Sequence, residues 1–567
     1  MKRSTHDRAR GTAQTAFCVA AAVLVIAAFA VLNTSDRNAD DKAIGAPGDY
    51  HADDIKAINA IIVVNGIRGM TAADPDDGSY VPLDWDGKII WDDAATGQRI
   101  VGIDLPGAGM VGALDVSGLG ELNYLDCSGN QLTGLNVSGC VFLEVLNCSV
   151  NRLTSLDVTN CTELRMLSLN YNGLTFLDIT NCTLLEELYL AHNYLVELDV
   201  TECTLLEILD CSSNEIVALD VTKCTLLREL YCYWNALVEL DVTECTLLTV
   251  LSCNNYMLAE LDITNCMLLT TLHCSWTEIR ELDVTNCPLL TALDIGWNFI
   301  TVLDVTNCTQ LMWLNCTGNK IAELDVTNCT ALEVLYCDVN MLTEIDVTRC
   351  TMLTELGCSQ NMLTELDITG CLSLERLFCG GNALTELDVT KHALLEILYC
   401  DSNRLTELDV TKCTELVHLN CSGNLLTELN VTECTLLDSL CCESNMLTEL
   451  DVTKCVYLTK LDCWDNLLTE LNVTECRSLL YLDCSGNYLT ELDVTGLQLK
   501  TLNCTMNFLS GTDRVIGFTG TWDGSMFKFF PQRSVPGTSD HSVTVLAFAM
   551  AALFALFLTG SFVSPKK

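Results

Sequence analysis

A right-handed, curved solenoid is the fold the sequence predicts, with a parallel β-sheet on its concave face and an extended or 3₁₀ outer side. Three observations predict it. Stepping by 21 residues from Asn130 lands on asparagine at Asn151, Asn172, Asn193 and onward to Asn487; a last 20-residue step reaches Asn507, and 17 of the 19 positions are Asn. Within each unit, Leu-x-Cys alternation ahead of the asparagine has period two, the mark of a strand with one buried face. No 21-residue unit can bury its own apolar side, so the units must stack into one continuous core. Length alone, 567 residues, would suggest about four domains. The unbroken register argues instead for one long stack.

Taken from the start of the chain, residues 1–16 are polar and basic (Lys2, Arg3, Arg8, Arg10), and an apolar run follows over 16–32. That order is the layout of a secretory signal peptide or signal anchor, and Ala28-Phe29-Ala30 offers a cleavage site. Residues 33–113 are expected to be a linker and N-terminal cap, because an exposed end of a stacked core has to be covered. A helix is expected over 53–64, and 99–105 reads as an atypical first strand.

The solenoid is expected over 114–509. Its unit reads Leu-x-x-Leu-x-Cys-x-x-Asn-x-Leu-Thr-Glu-Leu-Asp-Val-Thr-x-Cys-Thr-x, whose first half is the leucine-rich-repeat pattern. Leu125, Cys127 and Leu132 mark inward positions, and the asparagine amide should satisfy backbone groups that the turn leaves unpaired. Tyr256 and Thr277 break the column in adjacent repeats, where local irregularity is expected. In the second half, as in Leu408-Asp409-Val410-Thr411, Leu and Val point inward and Asp outward. At about 4.8 Å per repeat, 19 repeats give a rod or arc on the order of 90 Å.

This unit resembles the 21-residue leucine-rich repeat of bacterial surface proteins of the internalin type, in the form that carries a cysteine in each strand. The matching residues include Cys127, Cys148, Cys211, Cys232, Cys316, Cys400 and Cys484. The resemblance implies a curved extracellular solenoid that binds ligands of a host or neighbouring cell. A second cysteine column (Cys140, Cys161, Cys203) stands where that family usually has asparagine, and no wall-sorting motif precedes the C-terminal apolar run.

Residues 510–541 are expected to close the far end with Phe518, Trp522, Phe527, Phe529 and Phe530. Residues 542–567 read as a transmembrane helix with a short basic tail, since 543–563 is an uncharged apolar stretch followed by Lys566 and Lys567. Both ends therefore predict a membrane-anchored solenoid on the outside of a cell.

Composition excludes other classes. The chain carries 30 Lys+Arg against 75 Asp+Glu, a formal charge of -45, which argues against nucleic acid as a partner. Glu recurs four residues after the asparagine, as at Glu197, Glu344 and Glu449; Asp recurs two residues later, as at Asp157, Asp325 and Asp493. A solvated face explains these columns, some of the aspartates accepting bonds from backbone or Thr. They show no convergent calcium site. Of the 34 cysteines, 16 fill the strand column and 16 the outer one, with Cys18 and Cys441 apart. In-register bridges would pinch strands about 4.8 Å apart toward Cβ distances near 3.8 Å. The thiols read as small buried hydrophobes, and metal ligation is the alternative. Cys441 flanks inward Cys442 and is the candidate exposed or reactive thiol.

No catalytic motif is present, so neither an enzyme nor a cofactor is expected. The concave face is the least uniform surface. Its strand positions collect Tyr189, Tyr231, Tyr233, Trp234, His273, Trp276, Trp297 and Trp313. Clustered aromatics suit recognition of a protein or carbohydrate at a cell surface; the competing explanation is that aromatics simply favour strands. The function expected is ligand binding or adhesion. The alternative is a structural cell-envelope spacer without a specific ligand.

Overall fold

The computed structural model describes residues 50–533. The expected leader (1–32), most of the tail linker, the C-terminal apolar run and Cys18 lie outside the described residues. Among the described residues no helix is long and apolar enough to cross a membrane.

Helix α1 (Ala52–Asn65) opens the fold. It ends at Gly66, whose φ of 66° closes the last turn in the left-handed conformation that glycine adopts at little cost. Strand β1 (Ile89–Trp91) pairs antiparallel with β2 (Ile100–Asp104). β2 then pairs in parallel with Tyr124–Asp126. From there three-residue strands follow in parallel, 21 residues apart, to Tyr481–Asp483, and then Thr501–Asn503 and Phe527–Lys528 complete a 22-stranded sheet. The stack is a solenoid of about 20 turns, as the period predicts.

Asp54 locks α1 onto this stack. Its carboxylate is fully buried and accepts a forked pair of bonds from Arg99 Nε (2.9 Å) and an Nη (3.0 Å), and a third from Ile100 N–H (2.8 Å). Removing one member of a buried pair leaves its partner's charge uncompensated. Asp54→Ala is expected to cost about 3 kcal/mol and to loosen the cap first, seen as early loss of amide protection in α1 and β2.

Each turn of the solenoid is built the same way. The inward Leu of every strand is buried, as Leu335 and Leu356 are, and each contributes about 1.5 to 3 kcal/mol. The strand stops after three residues because the residue just before the asparagine takes positive φ, 57° at Trp297, 56° at Val339 and 72° at Gly318. This reversal swings the asparagine inward. Asn340 Nδ2 donates to Cys337 O (3.1 Å) in its own repeat and to Cys316 O (2.9 Å) in the preceding repeat. Its Oδ1 accepts from Ile321 N–H at 3.0 Å. The column is therefore a ladder that ties successive repeats together.

The irregularity expected at Tyr256 and Thr277 is confined to the turns. Asn255 swings inward in place of Tyr256, accepts from Asn235 N–H (2.9 Å) and donates to Cys232 O and Cys253 O (both 3.1 Å). Tyr256 is left exposed. Thr277 is buried and its hydroxyl donates to Asn298 Oδ1. The strands keep their register through both repeats, with Val250 opposite Thr271 and Thr271 opposite Ala292.

The outer side has no helix in any of these repeats. It is a chain of tight turns, in which Cys161 N–H donates to Val158 O (2.9 Å) and Leu164 N–H to Cys161 O (3.3 Å). These i to i−3 bonds are of the 3₁₀ kind. All 33 described cysteines are free, and every one but Cys441 is buried. Burial pushes the outer thiols up, Cys182 to about 12 and Cys350 to about 11, so they stay protonated and pack as apolar groups. His392 replaces one of them and keeps its bond, with Nε2 3.1 Å from Ile368 O.

At the far end, Phe518 stacks near Trp522 (4.3 Å between centroids) and Trp522 near Phe529 (5.3 Å). Phe529 is buried under this cluster, while Phe530 is exposed.

Candidate functional site

Two rows of residues form the uneven surface. The first lies on the strands. Tyr189 and Tyr231 each follow a glutamate two residues earlier, and their hydroxyls donate to Glu187 Oε2 (2.9 Å) and Glu229 Oε2 (3.0 Å). Tyr189 is buried at 9 % exposure, which leaves little of its ring for a ligand. Burial raises the Tyr189 hydroxyl above its ordinary value and also raises Glu187, whose bond from Tyr189 acts in the opposite sense. Farther along, His273 and Trp313 meet across the intervening Ala292 strand, 6.1 Å between centroids. His273 Nδ1 is 3.9 Å from Asp294 Oδ2, and Asp294 Oδ1 accepts from Asn315 Nδ2 at 2.9 Å.

The second row lies just past the strands. The sequence reading counts Trp234, Trp276 and Trp297 among the strand positions; the structure puts all three in the left-handed turn that precedes the inward residue. The strands are only three residues long, so these rings stand on the rim where strands end. Trp276 and Trp297 stack with centroids 5.0 Å apart and planes 19° from parallel, and both are exposed. The Trp297 ring lies over Gly318, where an added Cβ would meet ring carbon Cδ2 at 2.7 Å. Gly318 therefore gives the positive φ its turn needs and the floor on which the stack rests. Trp234 meets Tyr233 edge-on at 5.8 Å.

Sequence reasoning missed two members of this row. Tyr171 and His192 occupy the same turn position three and two repeats before Trp234, and their rings stack at 4.2 Å. Treating the residue before each asparagine as its own column would have found them.

The acidic columns have a local use. Asp325 Oδ1 accepts both Thr327 N–H (2.9 Å) and Thr327 Oγ1–H (2.6 Å). Asn430 does the same for Thr432 at 3.1 and 2.8 Å, so the turn requires an acceptor and not a charge. The hydroxyl bond from Thr327 holds the Asp325 carboxyl below the usual range. The stabilisation linked to a depressed carboxyl is fully present above its unfolded value, near 4, and is lost as pH falls through the folded value. Asp325→Asn should keep the turn and change stability at pH 7 by less than about 0.5 kcal/mol, while its melting temperature should fall less steeply below pH 4 than that of the parent. The Glu and Asp columns flank an open groove of about 1480 Å³ from Glu323 to Asp451.

Cys441 is half-buried on the concave face, opposite Asp462 in the next strand. Burial raises its thiol from the ordinary value, against the opposing pull of Lys460.

No family model matches the sequence, and no curated protein is similar to it. Solved structures are. The functional domain of InlJ from Listeria monocytogenes, described as including a cysteine ladder, is 34 % identical with a TM-score of 0.52, over 64 % of this chain and 73 % of that one. The plant peptide hormone receptor RGFR1, solved with RGF2, is 22 % identical with a TM-score of 0.64, over 72 % of this chain and 74 % of that one. The Arabidopsis receptor kinase HAESA, solved with the peptide hormone IDA and the co-receptor SERK1, is 19 % identical with a TM-score of 0.61, over 86 % and 99 %. The two plant receptors share the fold alone. The repeat length, the strand cysteines and the likeness to InlJ together place this chain in the internalin family of leucine-rich-repeat proteins, in its cysteine-ladder form.

Proposed function

We propose that this chain is an extracellular, membrane-anchored recognition or adhesion protein and not an enzyme, and that its ligand, a protein or a carbohydrate, docks on the aromatic rows. One observation carries the reading. Trp234, Trp276 and Trp297 are large, exposed rings held at φ of 53° to 57°, a conformation that costs a side-chain-bearing residue free energy. Other repeats put glycine at the same position, as at Gly381, Gly423 and Gly486, or a smaller side chain such as Val150, Ser213 and Ser402. Solvation gives no reason to keep tryptophan there, whereas binding does: stacked rings offer large contact areas at low entropy cost. The apolar runs at 16–32 and 543–563 support export and anchoring. Relatives of the same fold include receptors solved with peptide hormones, which supports a protein or peptide ligand.

The test is a combined glycan and protein array probed with the intact chain and with the Trp234→Ala, Trp276→Ala, Trp297→Ala triple variant. Specific binding that the triple variant loses is the expected result. Binding that survives in the variant overturns docking on the aromatic rows, and a blank array with both proteins favours a spacer without a specific ligand.

A further inference from the structure

Among the described residues, ligand atoms of His, Cys, Asp or Glu converge in a group of three at one place, Cys441, Glu443 and Asp462, all within 4.8 Å of one another. The repeat itself explains the grouping. Cys441 and Asp462 sit opposite each other in adjacent parallel strands, and Glu443 lies two residues beyond Cys441. Every other strand of the solenoid puts a different residue type at the Cys441 position, so no second thiol faces the concave surface among the described residues.

Two further observations set this group apart from an ordinary acidic patch. Glu443 Oε2 is buried and has no hydrogen-bond partner. A buried carboxylate oxygen without a partner carries a desolvation cost that an ion would relieve. Moreover, a cation already occupies the edge of the group. Lys460 Nζ lies 2.7 Å from Asp462 Oδ2 and 3.4 Å from Cys441 Sγ. The ammonium holds the place of positive charge but does not reach the orphaned oxygen.

We propose that Cys441, Glu443 and Asp462 form a binding site for a single zinc-class divalent cation. The donor chemistry selects the ion. A thiolate beside two carboxylates suits borderline Zn²⁺ or Co²⁺, whereas Mg²⁺ and Ca²⁺ demand an all-oxygen shell. Three protein ligands leave a fourth position for water or for a donor from a bound molecule. A cavity of about 490 Å³ lies alongside, lined by Lys460, Asp462, Tyr481, Asp483 and Lys528. On binding, the Cys441 thiol releases its proton to solvent, sulfur becomes a thiolate ligand, and Lys460 moves aside into this cavity. Lys460 is thus a competitor for the site.

Co²⁺ titration of the reduced, intact chain tests this, because a sulfur-to-cobalt charge-transfer band reports thiolate ligation directly. One equivalent with such a band is expected, displaced by Zn²⁺. Cys441→Ser should abolish the band without changing the circular dichroism. Glu443→Gln should weaken binding on the order of tenfold or more, and it carries the same test if the serine variant fails to fold. Lys460→Met should tighten binding, an effect that a merely structural lysine would not give. Absence of a band, or an unchanged band in Cys441→Ser, overturns the proposal, the latter by placing the metal on the buried ladder. An unchanged affinity in Lys460→Met overturns the competitor role.

Discussion

Replacing Asn340 by Leu is expected to lower the stability of the solenoid by about 4 kcal/mol, read as a lower urea midpoint. The substitution leaves Ile321 N–H without a partner and takes one of two asparagine donors from Cys316 O and from Cys337 O, which keep Asn319 and Asn361. The orphaned N–H costs roughly 1 to 3 kcal/mol, and each of the two lost carbonyl bonds about 1 kcal/mol more. The loss also falls on a junction between repeats, since Asn340 bonds across to Cys316 of the preceding repeat. Stability in a stacked repeat is a sum of units and near-neighbour junctions. Weakening one central junction should therefore split a single cooperative transition into two, with the halves on either side of residue 340 unfolding at different urea concentrations. Asp325→Asn is the natural control, since it changes an acid one repeat earlier without removing an acceptor. If Asn340→Leu unfolded within 1 kcal/mol of the parent, the asparagine ladder would not be the tie between repeats.

The Trp234, Trp276, Trp297 triple alanine variant is expected to lose at least about a hundredfold in ligand affinity, or roughly 2.7 kcal/mol. Exposed tryptophan is the residue most often found at the energetic centre of an interface. The stack is also preorganised: Trp297 rests on Gly318 and Trp276 rests on Trp297, so little side-chain freedom remains to be lost on binding. Stability should change little, because the rings are exposed and cover no inward leucine. Tyr457→Ala, at an exposed ring on the outer side, should leave affinity unchanged. Equal loss in both variants would point to a general effect on the surface and away from the aromatic rows. Gly318→Val offers a subtler probe. The new side chain has to push Trp297 off its floor, so binding should fall even though every aromatic residue is still present.

How much was legible before the structure depends on the residue. The asparagine column, the inward leucines and both cysteine columns followed from period alone, because a 21-residue repeat without insertions must place equivalent residues above one another. Strand spacing argued for buried thiols over bridges without settling the choice, and the structure has all 33 described cysteines free. The aspartate column was legible as a set of acceptors for Thr, as Asp325 and Thr327 are. The turn row was only half visible. Trp234, Trp276 and Trp297 stood out as tryptophans, but Tyr171 and His192 did not, because strand length was inferred too long by a few residues. A period-two pattern marks where a strand is, and it does not say where the backbone leaves it. The compensating Asn255 was likewise hidden, since its role depends on a turn that bends one residue early.

The sequence by itself determined the solenoid, its period, the buried ladders and the family, because each rests on identity between repeats, and identity is read along the chain. The tertiary structure alone decided what stands beside what across repeats. Stacking brings residues 21 apart to within a strand spacing, so Trp276 meets Trp297 and Cys441 meets Asp462. The left-handed turns then decide which rings face outward and which amides turn in. Those contacts depend on side-chain direction and turn geometry, which single positions in a repeat do not encode on their own.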